Sequence, residues 1–79
     1  MMDNFFAYLI KNLVDKPDEV NVSLLEGEQG TLVEVRVSPI DVAKVVGRQG
    51  RTIKALRTLA ITVGARLGKR VRVEIINSP

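Results

Sequence analysis

The residues with the clearest capacity for chemistry are Val45-Val46-Gly47-Arg48-Gln49-Gly50-Arg51-Thr52-Ile53. Two glycines bracket two polar residues, with a short apolar segment before them and a long amphipathic pattern after. Glycine at both ends permits positive φ and the close approach of another backbone. A turn placed directly before a helix start leaves free N–H groups and partial positive charge there, which suits a phosphate. Arg48 and Arg51 add full charges at the same spot. This is the arrangement of a G-x-x-G loop that grips a sugar–phosphate backbone. A tight turn between two helices is the plainer reading, but it needs fewer glycines and polar residues than stand here.

The flanking spacing extends the charge. Arg51 and Lys54 lie three apart on one helix face, Arg57 continues the row, and Lys44 sits on the preceding short helix. Arg48 would neutralise phosphate, and Gln49 would hydrogen-bond to phosphate or sugar. Arg66, Lys69, Arg70 and Arg72 read instead as solvated charge at a helix end and on a strand.

Other chemistry is sparse. The chain has no Cys and no His, which removes disulfides, thiolate nucleophiles, imidazole bases and the usual transition-metal ligands. The carboxylates are scattered. Gly64-Ala65-Arg66-Leu67-Gly68-Lys69-Arg70 superficially resembles a phosphate-binding P-loop, but its spacing is one residue short and no Ser or Thr follows Lys69. It also falls at a helix end rather than between strand and helix. No catalytic, metal or cofactor site is expected, and the chain reads as a binding protein rather than an enzyme.

The elements that must position the loop follow from periodicity. Asp3 or Asn4 is expected to cap a first helix, with Phe5, Leu9 and Leu13, beside Phe6, Ile10 and Val14, as its apolar positions and Pro17 as its terminator. Val20, Val22 and Leu24 alternate with polar residues as a strand. Residues 26–30 form a loose hairpin turn, and Thr31 to Val37 a second strand with Val33, Val35 and Val37 on one side. Ser38 as N-cap, Pro39 at the first position and Asp41 in the first turn open a short helix that stops at Gly47. A long helix runs from about Arg51 to Leu67, with Ile53, Leu56, Ala60, Val63 and Leu67 as its stripe and Gly68 as terminator. Val71, Val73 and Ile75 mark a last strand. The order α-β-β-α-α-β predicts an α+β two-layer sandwich, three helices on one face of a three-stranded sheet. The connection from the second strand through both helices is long enough for a parallel pair, so the sheet is expected to be mixed.

At 79 residues and 46% hydrophobic, the chain can form one small domain with a thin core. Net charge is +3, but unevenly spread: residues 1–30 carry −4 and residues 31–79 carry +7. The basic part holds the glycine loop, and a one-sided positive field points to a polyanionic partner, a solubilising basic surface being the alternative. The apolar run at residues 5–10 is too short to span a bilayer and lacks the flanks of a signal peptide, so a cytoplasmic protein with no membrane partner is expected.

Placed in that element order, the loop resembles the KH domain, in its prokaryotic (type II) form. Pro17-Asp18-Glu19-Val20, Asp41-Val42, Gly47 to Gly50, Ala55-Leu56-Arg57 and Gly68-Lys69-Arg70-Val71 are all similar to the small single-KH bacterial RNA-binding family of KhpA type. Ala43 departs from the pattern, which often carries Gly there. Ala is the better helix former, and the clamp is unaffected. The resemblance covers nearly the whole chain. It implies one KH domain over 1–79, with 1–30 as an N-terminal helix-and-strand extension and 31–79 as the core. It implies a groove for about four nucleotides of single-stranded RNA. The expected RNA contacts are Gly47, Arg48, Gln49, Gly50, Arg51, Lys44, Lys54 and Arg57. Val46 and Ile40 form an apolar floor, while Ile53 and Val37 read as core. The family also implies a role as RNA chaperone or post-transcriptional regulator, and pairing as a homodimer or with a larger KH-containing Jag-type (KhpB) protein. No aromatic lies near the loop, so stacking platforms are lacking and affinity should be weak and salt-sensitive. Two other readings stay open: a helix-turn-helix-like DNA binder, and a protein-interaction module acting only in a complex.

Overall fold

The valine alternation of residues 31–37 and 71–75 places β-branched side chains on one face of two neighbouring strands, and the fold is organised on that face. The computed structural model describes residues 2–77. Its elements are α1 (Met2–Lys11), β1 (Asn21–Gly27), β2 (Gly30–Arg36), α2 (Val42–Val46), α3 (Arg51–Leu67) and β3 (Val71–Ile75), with short 3-10 turns at Pro17–Glu19, Pro39–Asp41 and Arg48–Gly50. The strand order is β1-β2-β3, β1 antiparallel and β3 parallel to the central β2. This is the expected mixed sheet.

Val33, Val35, Val37, Val71 and Val73 meet Phe6 and Ile10 of α1, Val45 of α2, and Ile53, Leu56 and Ala60 of α3 in one buried cluster. All three helices therefore contribute to a single core on one sheet face. Phe6 is its largest fully buried side chain, and burying such a group contributes about 1.5–3 kcal/mol. The outer sheet face exposes Asn21, Ser23, Arg36 and Arg72, with Glu34 and Glu74 half-buried. Leu25 pairs there with Leu32.

Several local expectations are corrected. Asp3 and Asn4 lie inside the first turn of α1 rather than capping it. Its buried side is Phe6 and Ile10, whereas Phe5 and Leu13 stay partly exposed. α1 stops at Lys11, well before Pro17. The Asn12 amide donates to Tyr8 O at 2.8 Å and Leu13 N–H donates to Ile10 O at 2.9 Å, which closes the helix early. The hairpin is tight rather than loose: Gly27 pairs with Gly30 across the two-residue turn Glu28-Gln29. Its end is pinned by the Thr31 hydroxyl, which donates to Glu26 Oε1 at 2.7 Å, and by Lys69 Nζ at 3.5 Å. The Thr31 bond and then the Lys69 charge hold the Glu26 carboxyl below its ordinary range.

The buried stripe of α3 is Ile53, Leu56, Ala60 and Gly64, so Val63 and Leu67 are displaced from it. A Cβ on Gly64 would stand 2.6 Å from Lys69 O and 2.9 Å from Val71 Cγ2. Only hydrogen fits where the chain enters β3. Gly→Ala in a helix interior ordinarily stabilises, by about 1 kcal/mol. Here the sign reverses: Gly64→Ala is expected to destabilise by about 1–3 kcal/mol, read as a lower urea midpoint with unchanged slope.

Candidate nucleic-acid interface

α2 ends at Gly47, whose N–H donates to Ala43 O at 2.9 Å. Gly47 adopts φ 79°, ψ 171°, a conformation essentially confined to glycine. A Cβ there would stand 2.2 Å from Thr52 Oγ1 and 2.8 Å from Thr52 N. The loop thus needs glycine at 47 on two independent counts. Gly50 is different: it is left-handed at φ 74°, ψ 15°, but a Cβ would meet nothing within 4 Å. Gln49, at φ 57°, is the only described residue other than glycine with positive φ.

Arg48 and Gln49 are both exposed, as expected of a loop tip. The hydrogen-bond inventory refines the picture of a bare helix start. Gly50 N–H already donates to Gly47 O at 3.1 Å and Arg51 N–H to Arg48 O. The N–H groups of Arg48 and Gln49 have no backbone partner among the described residues. The available donors therefore belong to the loop itself, slightly ahead of α3. Gln49 is not wholly free, because its Oε1 accepts from Arg51 Nη2 at 3.1 Å.

The basic positions divide. Arg48, Arg51 and Lys54 have no acidic partner among the described residues. Lys44 is drawn elsewhere: its Nζ lies 3.0 Å from Asp15 Oδ2 and 3.8 Å from Asp41 Oδ1. The hydrogen bond and charge of Asp15, then the charge of Asp41, raise its pKa. Arg57 turns toward the sheet, its Nε donating to Val73 O at 3.4 Å on the edge strand β3.

Val37 and Ile53 are core, as read from the sequence. Ile40 is 61% exposed and Val46 is half-buried, so both are available as floor. A second apolar surface was not foreseen. Arg57, Ile61, Val71, Arg72, Val73 and Glu74 line a groove of ≈ 250 Å³ between α3 and β3. It adjoins a second of ≈ 350 Å³ through Ile61, Val71 and Arg72. Ile61 is 65% exposed at its mouth and extends the side of α3 that carries Lys54 and Arg57. A signal existed: Ile61 is an isoleucine between threonine-bearing turns and off the stripe 53-56-60.

Asp41 was read as a helix-start acid. The structure makes it a fully buried carboxylate, 0% exposed, accepting from Asp15 N–H at 3.1 Å and Lys16 N–H at 3.0 Å. Ser38 likewise makes no side-chain cap bond. Burial alone would push the Asp41 carboxyl up, but the two backbone donors and the Lys44 and Lys16 charges outweigh it, and the pKa lies below its ordinary 3.8.

Among the described residues no helix is long and apolar enough to cross a membrane, and no group of His, Cys, Asp or Glu could hold a metal ion.

Comparison with known proteins agrees with the fold. A family model described as "KhpA/KhpB, KH domain" matches residues 3–75. The chain is similar to proteins named "RNA-binding protein KhpA". In Chlamydia pneumoniae the identity is 45% over 75 residues, 95% of this chain and 96% of the relative. In Clostridium acetobutylicum it is 47%, covering 95% of this chain and all of the relative. In Streptomyces coelicolor it is 44%, covering 98% and 94%.

Two outcomes follow from the site geometry. Gly47→Ala is expected to cost roughly 2–4 kcal/mol, while Gly50→Asn costs less than about 1 kcal/mol because Asn tolerates the left-handed region; equilibrium urea unfolding separates them. Asp41 is ionised to lower pH when folded than when unfolded. The stability it carries is therefore complete above about pH 4 and lost as pH falls through the depressed value. Asp41→Asn should flatten that acid limb, seen by comparing melting temperatures near neutrality and at about pH 3.

Proposed function

Because the chain belongs to the KhpA/KhpB family of KH domains, we propose that it binds single-stranded RNA by gripping the sugar–phosphate backbone on residues 47–50. The observation that carries this reading is the Gly47 backbone seated against Thr52, a shape only glycine permits, with the Arg48 and Gln49 N–H groups, which have no backbone partner among the described residues, beside it. Phosphate oxygens accept from those amides, and Arg48 supplies the opposing charge. Arg51, Lys54 and Arg57 lead the strand along α3. Bases then lie against Ile61, exposed at the mouth of the α3–β3 groove, in addition to the Ile40 and Val46 floor. Lys44 contributes only if it leaves Asp15, so it is a secondary contact.

Phe5, Phe6 and Tyr8 all lie on α1 and not at the loop, so no aromatic platform adds stacking energy. Affinity for one domain is therefore about micromolar, and useful strength comes from pairing with a second KH-bearing chain, another copy or a KhpB-type protein. A cytoplasmic RNA chaperone or post-transcriptional regulator fits this profile of weak, sequence-tolerant contact. A helix-turn-helix mode fits less well, because the Ile53-Leu56-Ala60 side of α3 is buried in the core.

The test is the double variant Arg48→Asp/Gln49→Asp. Asp tolerates the left-handed backbone at 49, so the fold should persist. Wild type is expected to bind a single-stranded RNA pool with a log–log salt slope of about −2 to −3. The variant should bind at least about tenfold more weakly, with a slope shallower by about one. Equal binding by both, or preference for duplex DNA, would overturn the reading.

A further inference from the structure

Asp41 occupies the N-cap position of α2, yet its side chain makes no cap bond. Its oxygens turn instead to a segment more than twenty residues earlier, the connection between α1 and β1, where Asp15 and Lys16 N–H donate to Oδ1 and Oδ2. Lys44 closes the arrangement by bridging Asp41 and Asp15. An apolar side chain would fill the same buried space without desolvating a charge. What the carboxylate adds is direction: burial of apolar surface is non-directional, whereas two hydrogen bonds and an ion pair fix the orientation of what they join.

What they orient is the loop. α2 has only five residues, and Gly47 follows its last one. Gly47 N–H is bonded back to Ala43 O, so little slack separates Asp41 from the loop. At the far side, Gly47 rests on Thr52. α2 is thus held by Asp41 at one end and by α3 at the other. Resting on the function proposed above, we propose that Asp41 is a positioning residue of the phosphate clamp: its carboxylate seats α2 on the α1–β1 connection and so sets the orientation of the Arg48 and Gln49 N–H groups. α1 then serves as the anchor against which the clamp is preorganised, in addition to covering the sheet.

The experiment compares wild type, Asp41→Asn, the milder Lys44→Met, and a destabilised control, Gly64→Ala, which lies at the opposite end of α3 from the loop and outside the α1 anchor. All are measured at a temperature where each is folded. One readout is affinity for a single-stranded RNA dodecamer; the other is the chemical shift and exchange rate of the Arg48 and Gln49 amides without RNA. Asp41→Asn is expected to weaken binding about 5- to 20-fold and to move the loop amides, Lys44→Met about twofold, and the control less than twofold with unmoved loop amides. Loss of affinity by the control equal to that of Asp41→Asn would reduce the effect to stability and overturn the inference. So would unmoved loop amides in Asp41→Asn. Should wild type bind no RNA, the functional reading falls, and the amide arm still decides whether Asp41 orients the loop. If Asp41→Asn does not fold, the loop amides of Lys44→Met and of the control, read without RNA, carry the same decision, because affinity alone would also register loss of Lys44 as a contact.

Discussion

The approach of the Gly47 backbone to Thr52 is the constraint on which the α2–loop–α3 part of the molecule depends. Any side chain at 47 would overlap the Thr52 hydroxyl. Only with hydrogen there can α2 end against the first turn of α3, one 3-10 turn apart. The backbone that results places Gln49 and Gly50 in left-handed conformations. With that geometry the Arg48 and Gln49 N–H groups have no backbone partner among the described residues. The available donors of the loop are therefore a consequence of how two helices are joined, with little contributed by side-chain shape.

The acidic N-terminal stretch edits the basic remainder. Asp15 takes Lys44 and Glu26 takes Lys69, each contact crossing from residues 1–30 to residues 31–79. Arg48, Arg51 and Lys54 keep no acidic partner among the described residues. Exposed pairs of this kind contribute little stability, about 0–1 kcal/mol each. Their larger effect is on the field, because a cation held by a carboxylate attracts a distant phosphate less. Lys44 and Lys69 are thereby muted, while Arg48, Arg51 and Lys54 at the loop and the start of α3 keep their full charge.

Much of this was legible in the residues, and the parts that were not share one cause. Alternating valines, the Gly47-to-Gly50 loop, Pro39 and Gly68 announce element types and their order, because each acts through its own φ, ψ or side-chain period. The end of α1 was misplaced because Asn12 competes for the Tyr8 carbonyl and the amides of Asp15 and Lys16 are spoken for by Asp41. The α3 stripe was misjudged because Gly64 has no side chain to count, yet lies where β3 enters.

By itself, then, the sequence determined the α+β order, the glycine loop and the basic side of the domain, since these rest on periodicity, backbone freedom and formal charge. Only the tertiary structure decided which cations stay unpaired, that Asp41 is a buried bracket rather than a solvated first-turn acid, and that Ile61 opens a groove against the edge of β3. Those outcomes depend on what another segment brings within about 4 Å, and hydrogen bonds, ion pairs and steric exclusion act only at that range.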